Sequence, residues 1–289
     1  MNANGAEPSW PTSAEIQPQD LVITMLGAYV HHQRRTVWSG GLVTLLGDFG
    51  FSPGAARIAL IRLVNRGFVE RTRKGRLVFY TLTARGRKLL DEGDRRIFSL
   101  GKAPATGEQW TILWHAIPEE LRLERGRLAR RLRFLGFGTL QDGTWISPHD
   151  REREVVEVVD DLGVAQYVGV LVGRPALSLD FGKFVSRVWP MDELSERYRT
   201  YVQTFGRYAK GRRGGSLDDR EAFLARTQAV HAFRKFPVDD PDLPDDFMSE
   251  PRVRAEAIEV FTTVFERLAE PAERYFAAAM EPTASRSAA

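Results

Sequence analysis

The chain of 289 residues contains no cysteine, which excludes disulfides and thiolate metal sites. No apolar run approaches about 18 residues, so no membrane-spanning helix is expected. The first residues, "MNANGAEPSWPTSAEIQPQD", carry neither a cationic cluster nor the apolar core of a secretion signal. Residues 1–19 read as a loose tail, and the expected compartment is the cytoplasm. Histidine is scarce, with five in all. His31 and His32 are adjacent, so on a regular helix their side chains diverge by about 100° and are not expected to share a metal. His115 lies in a strand-like run beside Trp114 and reads as packed, while His149 and His231 have no partners at ligand spacing. No serine stands in a nucleophile elbow, and the glycines form neither a phosphate loop nor a dinucleotide fingerprint. No catalytic residue, metal or cofactor is expected.

What is present is an asymmetry of charge. The net charge of +3 conceals a segment, residues 20–102, with 15 Lys and Arg against 6 Asp and Glu, a net +9. The rest of the chain is near neutral or mildly acidic. A basic module joined to neutral ones is the charge footprint of a polyanion binder.

Three segments follow the tail. The first, residues 20–100, is helical and ends in a hairpin and an outgoing helix. A linker, "GKAPATGEQ" (residues 101–109), separates it from the second, residues 110–189. There "QWTILWHAI", "GTWISP" and "AQYVGVLVG" read as strands. "ELRLERGRLARRLRFLGF" reads as a helix with Leu121, Leu128, Leu132 and Leu135 on one face, and "REREVVEVVDDLG" as another. This β-α-β-α-β order predicts a small α+β sandwich, with the ferredoxin-like fold among the candidates. The third segment, residues 190–280, is mostly helical, with an acidic, proline-rich loop, "PVDDPDLPDDF". Tyr198, Tyr201, Phe205 and Tyr208 recur there at helical spacing and read as packing. Arg125, Arg127, Arg130, Arg131 and Arg133 in the second segment read as a solvated cationic face balanced by the acidic helix; an anion or DNA contact is the other reading.

The stretch "GFSPGAARIALIRLVNRGFVERTRKGRLVFYTLTARG" carries the chemistry of the first segment. Ser52 is a natural N-cap, Pro53 suits the first helical position, and Gly67 is a plausible stop, so a helix is expected over 53–66. Ala56, Ala59, Leu60 and Leu63 fall on one side of it. Gly54, Arg57, Ile58, Ile61, Arg62 and Asn65 fall on the other. The second group matches what a DNA major groove offers. Arginine pairs with guanine, asparagine with adenine, and an aliphatic group meets the thymine methyl. Arg57, Ile58, Ile61, Arg62 and Asn65 are therefore the base-reading candidates.

Behind the helix, two strand-like runs flank "RKGR", with Gly75 at the turn. Val69, Leu77, Phe79 and Leu82 are expected to pin this ribbon to the helices. Arg71, Arg73, Lys74 and Arg76, at or near its tip, are the phosphate-contacting candidates. Upstream, "DLVITMLGAYV" and "SGGLVTLLGDFG" supply two more helices, the second with Ser39 as a cap candidate, and Thr83 is placed to cap the outgoing helix. Three helices and a basic hairpin are the order of a winged helix-turn-helix. A charged hairpin or an Arg-rich helix face taken alone is commonly just solvated surface; their combination in a segment of net +9 carries the reading.

These runs, with "WTILWHAIPEELRLERGRLARRLRFLGFGTLQDGTWISP" and "VWPMDELSERYRTYV", resemble the PaaX-like family of bacterial transcriptional regulators over residues 20–275. The most specific pieces are "LRFLGFG…GTWISP" and "ALIRLVNRGF" with its hairpin. The resemblance implies an α+β chain with an N-terminal winged helix-turn-helix, a middle ferredoxin-like (Cas2-like) domain and a helical C-terminal domain. It implies a dimeric repressor of a catabolic operon, as in phenylacetic acid catabolism. Such a dimer would sit on an inverted-repeat operator in double-stranded DNA, and an acyl-CoA thioester such as phenylacetyl-CoA would release it. Gly54 stands where members often carry a larger side chain, and "LPDDFMSEPRVRAEA" lacks the "WPG" that many show.

Two other classes compete. A metal-dependent nuclease on the Cas2-like fold needs an aspartate at the end of its first strand, whereas "WTILWHAIP" holds His115 and no carboxylate. A winged helix used only for protein contacts would lack the steep salt dependence of phosphate neutralisation.

Overall fold

The computed structural model describes residues 16–33, 36–102, 109–174, 180–210 and 217–282. Most of the expected tail and the middle of the linker, residues 103–108, lie outside them. The chain divides into two compact units, one drawn from Met1–Arg96, Tyr201–Phe233 and Glu259–Ala289, the other from Ile97–Thr200 and Arg234–Ile258. Among the described residues no helix is long and apolar enough to cross a membrane.

In the first unit, α1 (Pro18–Leu26) widens into a π-helical turn, Gly27–His31. A two-residue strand, β1 (Val37–Trp38), leads into α2 (Ser39–Asp48). Ser39 is therefore not the cap of α2: Trp38 holds that position with extended backbone, because it is still paired to the sheet. In α3 (Pro53–Asn65) the expected signals act as written. Ser52 Oγ accepts from the Ala55 N–H at 3.2 Å. At the other end Gly67 takes φ +70°, and the N–H groups of Phe68 and Gly67 reach the carbonyls of Leu63 and Val64. This paired closure is the Schellman arrangement, which favours glycine at its left-handed position.

Strands β2 (Val69–Lys74) and β3 (Leu77–Leu82) form the hairpin, and the sheet order is β1-β3-β2. Gly75 sits first in the two-residue turn with φ +59°, and Arg76 keeps a negative φ, the pattern of a type II′ turn. Val69 and Leu82 turn into the core as expected, but Leu77 and Phe79 do not. Tyr80 and Val78 share the inward face instead, because the register pairs Val69 with Leu82, Arg71 with Tyr80 and Arg73 with Val78. Every second side chain points the same way, and "LVFYTL" is apolar in both phases. Thr83 caps α4 (Ala84–Ser99) by accepting from the Gly86 N–H, and its hydroxyl donates to the Gly67 carbonyl at 2.7 Å.

The core of this unit gathers Leu21, Met25, Leu42, Leu45, Leu60 and Leu63 together with aromatic residues from near the other end of the chain. The latter come from α9 (Asp219–Phe233) and α12 (Ala269–Met280). Tyr29 stacks on Phe276 at 4.9 Å and meets Phe223 at 5.4 Å. Its hydroxyl lies 2.9 Å from Thr227 Oγ1, and the Arg226 guanidinium sits over its ring.

The histidine pair departs from expectation. The rings of His31 and His32 lie 4.9 Å apart instead of diverging, and both reach α4, His31 to Asp91 and His32 to Asp94. The chain leaves regular α-helical geometry at this turn, so the 100° rule no longer applies.

The second unit opens with β4 (Trp110–His115), followed by α5 (Arg122–Phe134), β5 (Gly138–Gln141), β6 (Thr144–Ser147), α6 (Glu152–Asp161) and β7 (Val168–Gly173). Its sheet is antiparallel throughout, ordered β5-β6-β4-β7. This β-α-β-β-α-β pattern is the ferredoxin-like topology. The four-residue β5 is an addition to the strands read from the sequence, joined to β6 across Asp142 and Gly143. Leu113, Trp145, Leu128, Leu132, Val155 and Val159 form the core between sheet and helices.

Also in this unit are α7 (Phe181–Val188), the first half of α8 (Met191–Lys210), α10 (Phe236–Asp239) and the first part of α11 (Pro251–Arg267). Tyr198 stacks on Phe236 at 4.1 Å and donates to Asp240 Oδ2 at 2.6 Å. Asp240 and Arg254 are both buried and pair at 2.9 Å; Arg254 also reaches Asp242. The acidic loop thus contributes a buried ion pair. Tyr198, Tyr201 and Phe205 are buried, as the packing reading expects, and Tyr208 is half-buried.

Candidate nucleic-acid interface

One helix face and one hairpin hold the candidate residues. On α3 the packed side is sealed, with Ala56, Ala59, Leu60 and Leu63 at most 1% exposed. Arg57, Ile58, Ile61, Arg62 and Asn65 are all exposed on the other side. Ile58 and Ile61, at 53% and 54%, are among the most exposed large apolar side chains of the described residues. Leaving two isoleucines half in water forgoes roughly 1 kcal/mol each, which a bound surface can recover.

On the hairpin, Arg71, Arg73, Lys74 and Arg76 are exposed. Among the described residues none of these four, nor Arg57 or Arg62, is paired with a carboxylate. Several arginines elsewhere are committed to carboxylates: Arg220 to Asp48, Arg274 to Asp219 and Glu270, Arg199 to Glu196 and Glu250. The Arg220–Asp48 contact holds that guanidinium above its ordinary pKa through the Asp48 hydrogen bond. Arg73 is oriented by its own turn, donating Nε–H to the Gly75 carbonyl at 2.9 Å, and Lys74 Nζ lies 5.7 Å from the centre of the Phe79 ring. Arg66 and Arg85 both cover Phe68, adding two cations beside the helix end that the sequence reading did not single out. The cue was their spacing around an aromatic residue.

The remaining groups have local roles. Arg125 and Arg127 pair with Glu119 and Glu124 near their own helix start, and Arg133 lies over Trp145, so these three do not use α6 as their partner among the described residues. Arg127, Arg130 and Arg131 line a shallow cavity of about 360 Å³ with Phe134 and Leu162. His115 is held below its usual pKa mainly by burial. His149 is lowered by burial and then by Arg151, and its Nε2 lies 2.9 Å from the Pro241 carbonyl. His231 Nδ1 lies 3.0 Å from Thr24 Oγ1.

Residues 17–86 match the model described as "PaaX-like protein", residues 103–183 "PaaX protein central Cas2-like domain", and residues 189–278 "PaaX-like protein C-terminal domain". The chain is 26% identical over 257 residues to the transcriptional repressor PaaX of Escherichia coli (strain K12), covering 86% of this chain and 79% of that one. Its fold is similar to that of uncharacterized protein Rv0674 from Mycobacterium tuberculosis, with a TM-score of 0.56, 19% identity and coverage of 91% and 100% of the two chains. With all three of its parts matched in order, the chain belongs to the PaaX-like family.

Proposed function

We propose that this chain is a DNA-binding transcriptional repressor. In this reading residues 20–100 act as a winged helix-turn-helix, with α3 in the major groove and the β2–β3 hairpin along the phosphates. The observation that carries it is the exposed face of α3, where Arg57, Ile58, Ile61, Arg62 and Asn65 stand beside a hairpin of unpaired cations. Relatedness to a repressor over most of the chain supports the same reading.

The finer reading is a cytoplasmic homodimer that places two copies of α3 on half-sites separated by whole helical turns, so its operator is an inverted repeat. Residues 110–189 and 190–280 serve as the dimerising and sensing domains. The effector is an acyl-CoA thioester, with phenylacetyl-CoA the first candidate by family. An effector releases DNA only by binding the free form more tightly, and DNA then weakens effector binding by the same factor.

The test is a titration of full-length protein against DNA from upstream of its own gene, with and without a panel of acyl-CoA thioesters. Tight binding that one thioester reverses, with equal coupling in both directions, is the expected result. A thioester bound equally well in the presence and absence of DNA is not the inducer. Failure of the chain to bind any duplex above background overturns the reading.

A further inference from the structure

The π-helical turn after α1 brings two imidazoles against α4. His31 is 7% exposed; its Nε2 lies 2.8 Å from Asp91 Oδ1, and its Nδ1 is buried with no hydrogen-bond partner. His32 is largely exposed and brings Nε2 to 3.0 Å from Asp94 Oδ2. That oxygen is itself buried, so the pairing draws a carboxylate into the cluster beside the two rings. Ligand atoms of His31, His32 and Asp94 all lie within 4.8 Å of one another.

Two imidazoles and one carboxylate suit borderline divalent ions of the zinc class, which take such donors and fill a fourth position with water. A ligating histidine usually gives its other ring N–H to a carboxylate, which fixes the ring. Asp91 already occupies that place on Nε2 of His31, leaving Nδ1 for the ion. A tetrahedral site with bonds of about 2.0 Å has its ligands roughly 3.3 Å apart, so the cluster has to contract slightly. The exposed side chain of His32 has the freedom to do so.

We propose that His31, His32 and Asp94 hold one divalent transition-metal ion, with Asp91 as the outer carboxylate. The ion ties the end of the first helix to α4, just before the chain turns toward β1 and the hairpin. The site is independent of the DNA reading and stands or falls separately.

The test uses the full chain at neutral pH with Co2+ alone as probe, followed by Zn2+. The chain has no cysteine and few other histidines, so the background is low. The expected result is one Co2+ per chain with a visible d–d band, displaced by Zn2+, and a higher thermal midpoint in Zn2+. His32→Gln and Asp94→Asn should each weaken binding at least tenfold, and Asp91→Asn by about 10–100-fold, the usual effect of losing an outer-shell carboxylate. His115→Gln should leave the affinity unchanged. His32 is exposed, so its variant keeps the fold, and its metal-free circular dichroism should match the parent. No stoichiometric uptake by the parent chain, or unaltered uptake by His32→Gln and Asp94→Asn, overturns the site.

Discussion

Arg73 donates its Nε–H to the carbonyl oxygen of Gly75, 2.9 Å away, and so is held over the tip of its own hairpin. A guanidinium oriented in this way loses less freedom when it meets a phosphate. Lys74 and Arg76 share the tip without a carboxylate partner among the described residues.

The first prediction concerns this tip. Replacing Arg73, Lys74 or Arg76 with alanine should weaken binding to operator and random duplex alike. Each should reduce the slope of log affinity against log salt by about one unit. Fluorescence anisotropy across a salt series measures both. An unchanged slope with altered base preference would reassign the residue to base reading.

The second concerns α3. Arg57→Ala or Arg62→Ala should cost about 1–3 kcal/mol on the operator and relax the preference at one base pair per half-site. Selection from random duplexes with each variant reads this directly. If both variants recover the parental consensus, α3 is not the reader.

The third concerns the aromatic cluster around Tyr29. Phe276 is 1% exposed and stacks on Tyr29, so Phe276→Ala should destabilise the first unit by about 3–5 kcal/mol. Urea unfolding followed by circular dichroism checks it. A loss below about 1 kcal/mol would mean that the site collapses freely, contrary to its close packing.

The fourth concerns Asp240 and Arg254. Removing the cation by Arg254→Met leaves a buried carboxylate uncompensated and should cost about 3–5 kcal/mol at neutral pH. Burial already holds Asp240 above the ordinary carboxylate pKa, with Arg254 pulling it down, so the variant raises it further. A raised folded pKa gives stability that is lost as pH rises through it and is recovered below the unfolded value. The penalty, measured against the parent at each pH, should therefore shrink on acidification. A penalty independent of pH would mean that Asp240 is not the group left uncompensated.

Helix α3 was legible because all its determinants are local: the Ser52 cap, the 3.6-residue spacing of Ala56, Leu60 and Leu63, and the Gly67 stop. The same locality gave α5, α6 and three of the four strands of the second unit. Strand β5 was missed because it is only four residues long, although "QDGT" carries a usable hairpin signal in its Asp-Gly pair. The inward phase of β3 was not legible, since both phases of "LVFYTL" are apolar. The break between α11 and α12 at Leu268 follows from Pro271, which has no N–H to offer the carbonyl one turn earlier. The stacking of Phe276 on Tyr29 and the pairing of Asp240 with Arg254 had no local sign; each is decided by tertiary contact. The convergence of His31 and His32 depended on a π-helical turn that no spacing rule anticipates.

The most direct test of the DNA reading exploits the absence of cysteine. Ile61→Cys places a single thiol on the exposed face of α3, where it can carry a DNA-cleaving chelate. Bound to operator, the protein labelled at position 61 should cut at major-groove positions inside each half-site. Full operator binding with no cleavage from position 61 would contradict the assignment of α3 as the reading helix.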